Sequence, residues 1–254
     1  MRVLITGAAG GLGGALAAAY AGRGADVLRT DLRESAEVLG HDVTSDESWA
    51  VVRSHVEETW GGLDVLVNNA GIAGGGRMDV ATMDEWQRLV DVNLLGVARG
   101  IATFTPLFKR QGSGQIVNIA SLAGLVHPAG MASYNATKAG VVALTETVGH
   151  ELSPWGVTAH VVCPSYFKTG LVESMTGTDE SFGAVIAHLV QSSPLGPDDI
   201  AAAVLDGLDQ GLELIVPDDA ARAAYELKRS DRAAYDAQMR RQAAKLTDLP
   251  GGAT

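Results

Sequence analysis

The chain has little cysteine, no long uninterrupted apolar sequence and a shortage of positive charge, and each lack removes a class of protein. One cysteine, Cys163, excludes an internal disulfide and suits a reducing compartment, with the cytoplasm as the expected location. It ends the apolar run VTAHVVC and so reads as a buried strand residue rather than a nucleophile. No window approaches the roughly 20 apolar residues that a membrane span needs. Arg2 and the stretch ending ALAAAYA imitate a secretory signal, but glycines at 7, 10, 11, 13 and 14 interrupt it. Nineteen Lys+Arg against 30 Asp+Glu give a formal charge of -11, which argues against nucleic acid or an anionic membrane as the partner.

What remains is 254 residues that are 46% hydrophobic, enough for one α/β domain with a sizeable core. Strand and helix signals alternate. RVLIT at 2–6 reads as a strand, followed by a glycine-rich turn and an alanine-rich helix to about Arg23. DVLRTD at 26–31 is a second strand, and HDV at 41–43 lies beyond a short polar connection. Thr44 with Glu47 predicts a capping box opening a helix to about Gly61, and Thr82 with Glu85 a second one opening a long helix to about Arg110. Between them, LDVLVNNAG at 63–71 reads as a buried strand ending in a turn. Strands at 115–120, 156–163 and 212–216, helices at 133–152 and 179–191, and Pro197 as a first helical residue continue the series. Such alternation predicts a doubly wound parallel sheet of Rossmann type over residues 1–217, with a helical tail over 218–254.

The turn TGAAGGLG at 6–13 follows a strand and opens a helix. There, backbone N–H groups and the positive helix end can face a pyrophosphate, and side chains would block its approach. The spacing is Gly7-x-x-x-Gly11-x-Gly13, not strict G-x-G-x-x-G. Asp31 ends the second strand, where an acid can accept hydrogen bonds from an adenosine ribose and repel the extra phosphate of NADP. That favours NAD, although Arg29 and Arg33 flank the acid.

Residues 118–138, NIASLAGLVHPAGMASYNATK, pass from a strand through a small-residue loop into a helix. Tyr134 and Lys138 share one helix face at i, i+4, and Ser121 can reach that face if the loop folds back. A phenol near pKa ~10 is a poor base at neutral pH, and a nearby cation favours the phenolate.

In this order, the motifs resemble those of the short-chain dehydrogenase/reductase family over about residues 2–216. TGAAGGLG fits the family's T-G-x-x-x-G-x-G, Asp42-Val43 its adenine-contacting pair, and Asn68-Asn69-Ala70-Gly71 its NNAG. Asn93 in VNLLG, Ser121, and Tyr134 with Lys138 in YNATK complete an Asn-Ser-Tyr-Lys tetrad. The resemblance implies that Tyr134 is the general acid/base, that Ser121 holds and polarises the substrate carbonyl, and that Lys138 lowers the phenol's pKa and binds the nicotinamide ribose. Asn93 would hold a water linking Lys138 to solvent. Hydride would pass directly between the nicotinamide of NAD and the carbon of a small secondary alcohol or ketone. NAD contacts are expected from Gly7, Gly11, Leu12, Gly13, Asp31, Asp42, Val43, Asn69, Ala70, Gly71, Pro164, Phe167 and Thr169, besides Tyr134 and Lys138. A homodimer or homotetramer is the expected assembly.

One departure stands out: Pro164 is followed by Ser165 where the family usually has glycine. Ser165 and Tyr166 would narrow the substrate pocket. Residues 170–195 look like the segment that covers the substrate in this family, with Gly170, Gly177 and Gly183 giving it freedom to move. Leu171, Met175, Phe182, His127 and Met131 are expected to line an apolar pocket, suited to a cyclic or steroid-like alcohol. The other histidines lack ligand spacing, so no catalytic metal is expected. The tail carries 7 Lys+Arg and 6 Asp+Glu, against 12 and 24 in the remainder. Such a helix could pack on its own domain, cross to a partner subunit or meet an acidic surface, and self-packing is the plainest reading. The rival function is an NAD-sensing regulator without catalysis, although such proteins commonly lose the Tyr or the Lys. Sugar-nucleotide epimerisation would need a larger substrate domain.

Overall fold

The structure is a computed structural model that describes residues 1–170 and 177–250. Seven parallel strands form its sheet, in the order β3-β2-β1-β4-β5-β6-β7. They are β1 (Arg2–Thr6), β2 (Asp26–Asp31), β3 (Leu39–Gly40), β4 (Val65–Asn68), β5 (Gly114–Ile119), β6 (Val157–Val162) and β7 (Leu214–Ile215). All four residues of β4 are buried, as a strand covered by helices on both faces requires. The chain runs outward from β1 to β2 and β3, then returns to the far side of β1 with β4. That reversal opens a crevice at the carboxyl ends of β1 and β4, where doubly wound sheets bind ligands.

Helices α1 (Gly11–Gly22) and α8 (Pro197–Asp209) cover one face, where Val3, Ile5, Leu16 and Val204 are fully buried. Helices α2 (Asp46–Trp60), α4 (Gly96–Gln111) and α6 (Ala132–Leu152) cover the other, around Trp49, Phe104 and Phe108. At the crevice, α3 (Met83–Val90), α5 (Ala123–Val126) and α7 (Glu180–Gln191) frame a smaller apolar cluster. It joins Met131, Tyr134, Phe182 and Ile186 to Leu246 and Leu249 of the tail. The tail forms α9 (Asp219–Ser230) and α10 (Arg232–Leu246), and α9 packs on α5. Self-packing of the tail is therefore what the structure displays. Among the described residues, no helix is long and apolar enough to cross a membrane.

Local chemistry sets the helix boundaries. The capping box of Thr82 and Glu85 is formed in both directions. The one expected at Thr44 is not: Ser45 caps α2 by accepting the N–H of Ser48, while the Thr44 hydroxyl donates to Asp42 at 2.7 Å. The long helix expected from 82 to 110 is broken by a π turn at Asp91–Leu95, an irregularity that often marks functional sites. At the sheet edges, β3 falls inside the polar connection expected before His41, and β7 keeps two residues of LELIV.

Candidate active site

The crevice is the wall of a continuous cavity of about 1390 Å³ that runs from the glycine turn and Asp31, past Tyr134, to the inner face of α10. Its first end is made by the turn between β1 and α1. Gly7 and Gly11 have φ of 65° and 54°, a left-handed geometry that costs other residues energy. A Cβ on Gly13 would fall 2.3 Å from the Gly7 carbonyl oxygen, so only glycine lets the helix close on the turn. The turn is latched from β4: the Asn69 amide donates to the Thr6 and Gly7 carbonyls at 2.8 and 3.0 Å, and the Thr6 hydroxyl accepts the N–H groups of Asn69 and Ala70 at 3.0 Å each.

This end fits a dinucleotide. Among the described residues, no side chain caps α1 at Gly10 and no acid lies in its first turn. A Cβ on Gly10 would meet nothing within 4 Å. The leading N–H groups of α1 can thus receive a pyrophosphate, with the helix dipole aiding. Asp31, half-buried at the end of β2, accepts the N–H of Ala9 at 3.1 Å and that of Arg33 at 3.3 Å. Arg29 also lines this end, donating to the Ala8 carbonyl at 2.9 Å and pairing with Glu37 at 3.3 Å. Leu12, Gly71, Pro164, Phe167 and Thr169 also line the cavity, with the Thr169 hydroxyl placed over Gly11. Asp42 and Val43 do not. Asp42 is folded onto Thr44, and Val43 is buried against Gly96 of α4.

The centre of the cavity holds the residues of β5, α5 and α6. Tyr134 is buried and shares the cavity wall with Ser121, close enough for the hydroxyl to act on the phenol, so the loop does fold back as the spacing allowed. Lys138 is buried one turn on, its ammonium 5.7 Å from the phenol ring centre and donating to the Ile119 carbonyl at 3.0 Å. Burial pushes the phenol up to about 12, against the opposing Ser121 hydrogen bond, and pulls the lysine down to about 8. The protein's own groups thus raise the phenol; the expected lowering by Lys138 counts on help from the positive charge of an oxidised nicotinamide ring. Desolvation of the anion outweighs a cation that faces a carbonyl instead. Burial likewise raises the Cys163 thiol to about 12, which fits its reading as an inert core residue.

Asn93 lies in the π turn, fully buried. Its amide oxygen accepts the Ile72 N–H at 2.8 Å, and its amide nitrogen donates to the Ile72 carbonyl at 3.0 Å. The side chain thus fixes the wall beside Lys138. A Cβ on Gly71 would sit 3.1 Å from the Asn93 oxygen and 3.6 Å from the Lys138 nitrogen.

At the far end, Ser165, Tyr166 and Met131 line the cavity as expected, with the Tyr166 hydroxyl 3.8 Å from the Met131 sulfur. His127 does not line it. Its backbone is left-handed (φ 55°), and its exposed ring meets the Gly124 carbonyl and, at 2.8 Å, the ammonium of Lys228. Leu171 and Met175 lie outside the described residues. Sequence reasoning missed the tail: Leu227, Tyr235, Met239 and Leu246 form the roof of the cavity. The Tyr235 hydroxyl donates to the Val126 carbonyl, and Arg77 donates to the Leu249 carbonyl at 2.9 Å. A charged, alanine-rich tail carries no sequence signal for where it docks.

A dinucleotide cradle and a Ser–Tyr–Lys cluster on one parallel sheet define an oxidoreductase of the nucleotide-binding α/β class. Residues 1–180 match the family described as short chain dehydrogenase, and the chain belongs to that family. It is 36% identical over 216 residues to a trans-4-hydroxycyclohexanecarboxylate dehydrogenase of Sinomonas cyclohexanicum, covering 77% of this chain and 79% of that one. To a 3-alpha-(or 20-beta)-hydroxysteroid dehydrogenase of Mycobacterium tuberculosis it is 35% identical over 182 residues, covering 67% and 70%. A short chain dehydrogenase/reductase of Burkholderia phymatum, solved in complex with NAD, superposes with a TM-score of 0.84 at 29% identity, covering 91% of this chain and 93% of that one.

Proposed function

We propose that the protein is an NAD-dependent oxidoreductase that interconverts a mostly apolar, cyclic or steroid-like secondary alcohol and its ketone. The observation that carries this reading is the meeting of Ser121, Tyr134 and Lys138 on one wall, midway along a cavity that begins at the α1 N-terminus. A bound nicotinamide would supply the hydride acceptor or donor and, when oxidised, a positive charge that favours the phenolate. Tyr134 donates its proton to the substrate oxygen in reduction and takes it back in oxidation. Ser121 holds that oxygen. Lys138 anchors the floor through Ile119 and offers its ammonium to the cofactor ribose, while Asn93 acts as a positioning residue. The names of the two similar enzymes, which dehydrogenate a ring hydroxy acid and a hydroxysteroid, support a ring alcohol. Asp31 and the engaged Arg29 support NAD over NADP. We read the assembly as a homodimer or homotetramer, which light scattering on the purified chain would decide.

A panel of cyclic secondary alcohols and ketones, run separately with NAD and NADP, tests the proposal. Turnover of at least one substrate with NAD is expected, and Tyr134→Phe is expected to abolish it while NAD still binds. Robust turnover by Tyr134→Phe would overturn the assignment. NAD binding without turnover across the panel would favour a sensing role instead.

A further inference from the structure

We propose that the substrate carries an acidic group remote from its alcohol or ketone, and that Lys245, assisted by Gln242, receives it. This rests on the alcohol/ketone reading above and specifies its substrate class. Tyr235, Gln238, Gln242, Lys245 and Leu249 recur at intervals of three or four residues, and all five line the cavity. That spacing is one face of a helix, so α10 turns a stripe of Tyr235, Gln238, Gln242 and Lys245 inward, and Leu249 follows just beyond the helix end. Gln238, Gln242 and Lys245 are exposed within this stripe, with their polar heads free to meet a ligand at the rim.

The distribution of charge points to an anion. The carboxylates that line the cavity are Asp31, Glu34 and Glu37, all at the β2 end, where the cofactor is placed. Among the described residues, none lines the tail end. Of the tail's other cations, Arg240 and Arg241 do not line the cavity, and three more are engaged. Arg229 pairs with Glu226, Arg232 with Asp236, and Lys228 meets His127. Among the described residues, Lys245 has no carboxylate partner, even though Asp248 lies three positions on. A cation in the last turn also complements the helix dipole, but that role does not require the cavity-facing position Lys245 occupies. The overall charge of -11 opposes an anionic ligand at long range. Screening confines that opposition to about 8 Å at physiological salt, so the nearest unpaired cation governs the rim.

The test compares a hydroxycyclohexane carboxylate with its methyl ester, using NAD as cofactor. Wild-type protein is expected to favour the acid in kcat/KM, and Lys245→Met to raise KM for the acid about fivefold, the scale of a solvent-accessible ion pair, with the ester unchanged. Lys245→Glu is expected to raise it further. A second arm measures binding of cyclohexanecarboxylate to the NAD-loaded protein by calorimetry, which needs no turnover, and the same fivefold weakening is expected there. A purely helix-stabilising lysine would shift Tm in Lys245→Met and leave the acid-to-ester ratio intact, which would overturn the proposal. Equal use of acid and ester by wild-type protein would also overturn it. Acid binding through Lys245 without turnover of either compound would sustain the subsite and defeat the hydride-transfer reading. Turnover insensitive to Lys245 would do the reverse.

Discussion

Asp218 holds Ser165. One carboxylate oxygen of this buried acid accepts the Ser165 N–H at 3.1 Å, and the other accepts the Ala221 N–H at 2.8 Å. A single side chain therefore caps α9 and fixes the loop where the family's usual glycine is replaced. The start of the tail is tied to the floor of the cavity, directly beside Tyr166.

Asp218→Ala is expected to destabilise the protein by about 1–2 kcal/mol, through loss of a helix cap and an unpaired buried N–H. For a chain of this size that is a fall of roughly 2–8 °C in Tm. Asp218→Asn retains good capping chemistry and should lose less. KM for the ketone should rise in both, with kcat nearly unchanged, because Ser165 lines the pocket without touching the reacting proton. Calorimetry with steady-state kinetics checks this. A fall in kcat at constant KM would show that the loop acts on the chemistry instead.

Lys138 gives a pH dependence of stability whose sign is fixed by burial. Its folded pKa is lowered from 10.5 to about 8 by desolvation, so between these values the unfolded chain binds more protons and stability rises with pH. Below about pH 8 the folded protein carries a buried ammonium at a cost of about 3 kcal/mol. Lys138→Met is therefore expected to be inactive yet more stable than wild type at pH 7. The difference should shrink as pH is raised from 8 to 10. Denaturant titrations across that range test it, and a pH-independent difference would contradict it.

Legibility in the sequence followed the range of the forces involved. β1 and β2 fall where expected, because an apolar run bounded by a glycine turn is a local signal. Tyr134, Lys138 and Ser121 meet because i, i+4 spacing and a short loop leave little choice. The boundary at Ser45 was missed because adjacent Thr and Ser are equivalent capping chemistry until the backbone selects one. The π turn at Asn93 was invisible, since no residue type in DVNLL marks where an extra residue is accommodated in a helix. The raised pKa of Tyr134 comes first from its burial, which the spacing of Tyr134 and Lys138 does not determine. His127 and the tail depend on contacts more than 100 positions apart, such as that between Lys228 and His127.

Arg77 clasps the covering helix and the tail together. Its guanidinium meets the Asp179 carboxylate at 2.8 and 2.9 Å and donates to the Leu249 and Pro250 carbonyls at 2.9 and 2.7 Å. Asp179 in turn caps α7. The hydrogen bonds from Arg77 hold the Asp179 carboxyl below its ordinary value. Its contribution to stability is thus present above the unfolded pKa near ~3.9 and lost as pH falls through the folded value. Arg77→Met is expected to raise amide exchange across residues 232–250 at pH 7, and acid to do the same in wild type. KM should rise several-fold as the roof loosens. Unchanged exchange in Arg77→Met would show that the apolar contacts of Leu246 and Leu249 suffice.

Asp31 should set the choice between NAD and NADP, and its neighbours say how far one substitution can move it. A 2′-phosphate would bring a charge of about -1.5 to -2 beside this carboxylate, a repulsion that NAD avoids. Arg29 and Arg33 both line this end and could compensate, but the Arg29 guanidinium is bound to the Ala8 carbonyl and to Glu37. Asp31→Asn keeps an acceptor for the Ala9 N–H and removes only the charge. It is expected to lower kcat/KM with NAD by about tenfold, the loss of roughly one charge-assisted hydrogen bond, and to raise NADP use modestly. Adding Glu37→Gln releases one hold on Arg29, so the double variant should gain more with NADP than the single changes combined. That excess would arise because the two sites share Arg29 as a partner. Additive effects would mean that Arg29 stays on the Ala8 carbonyl. A wild-type preference for NADP would remove Asp31 as the determinant altogether.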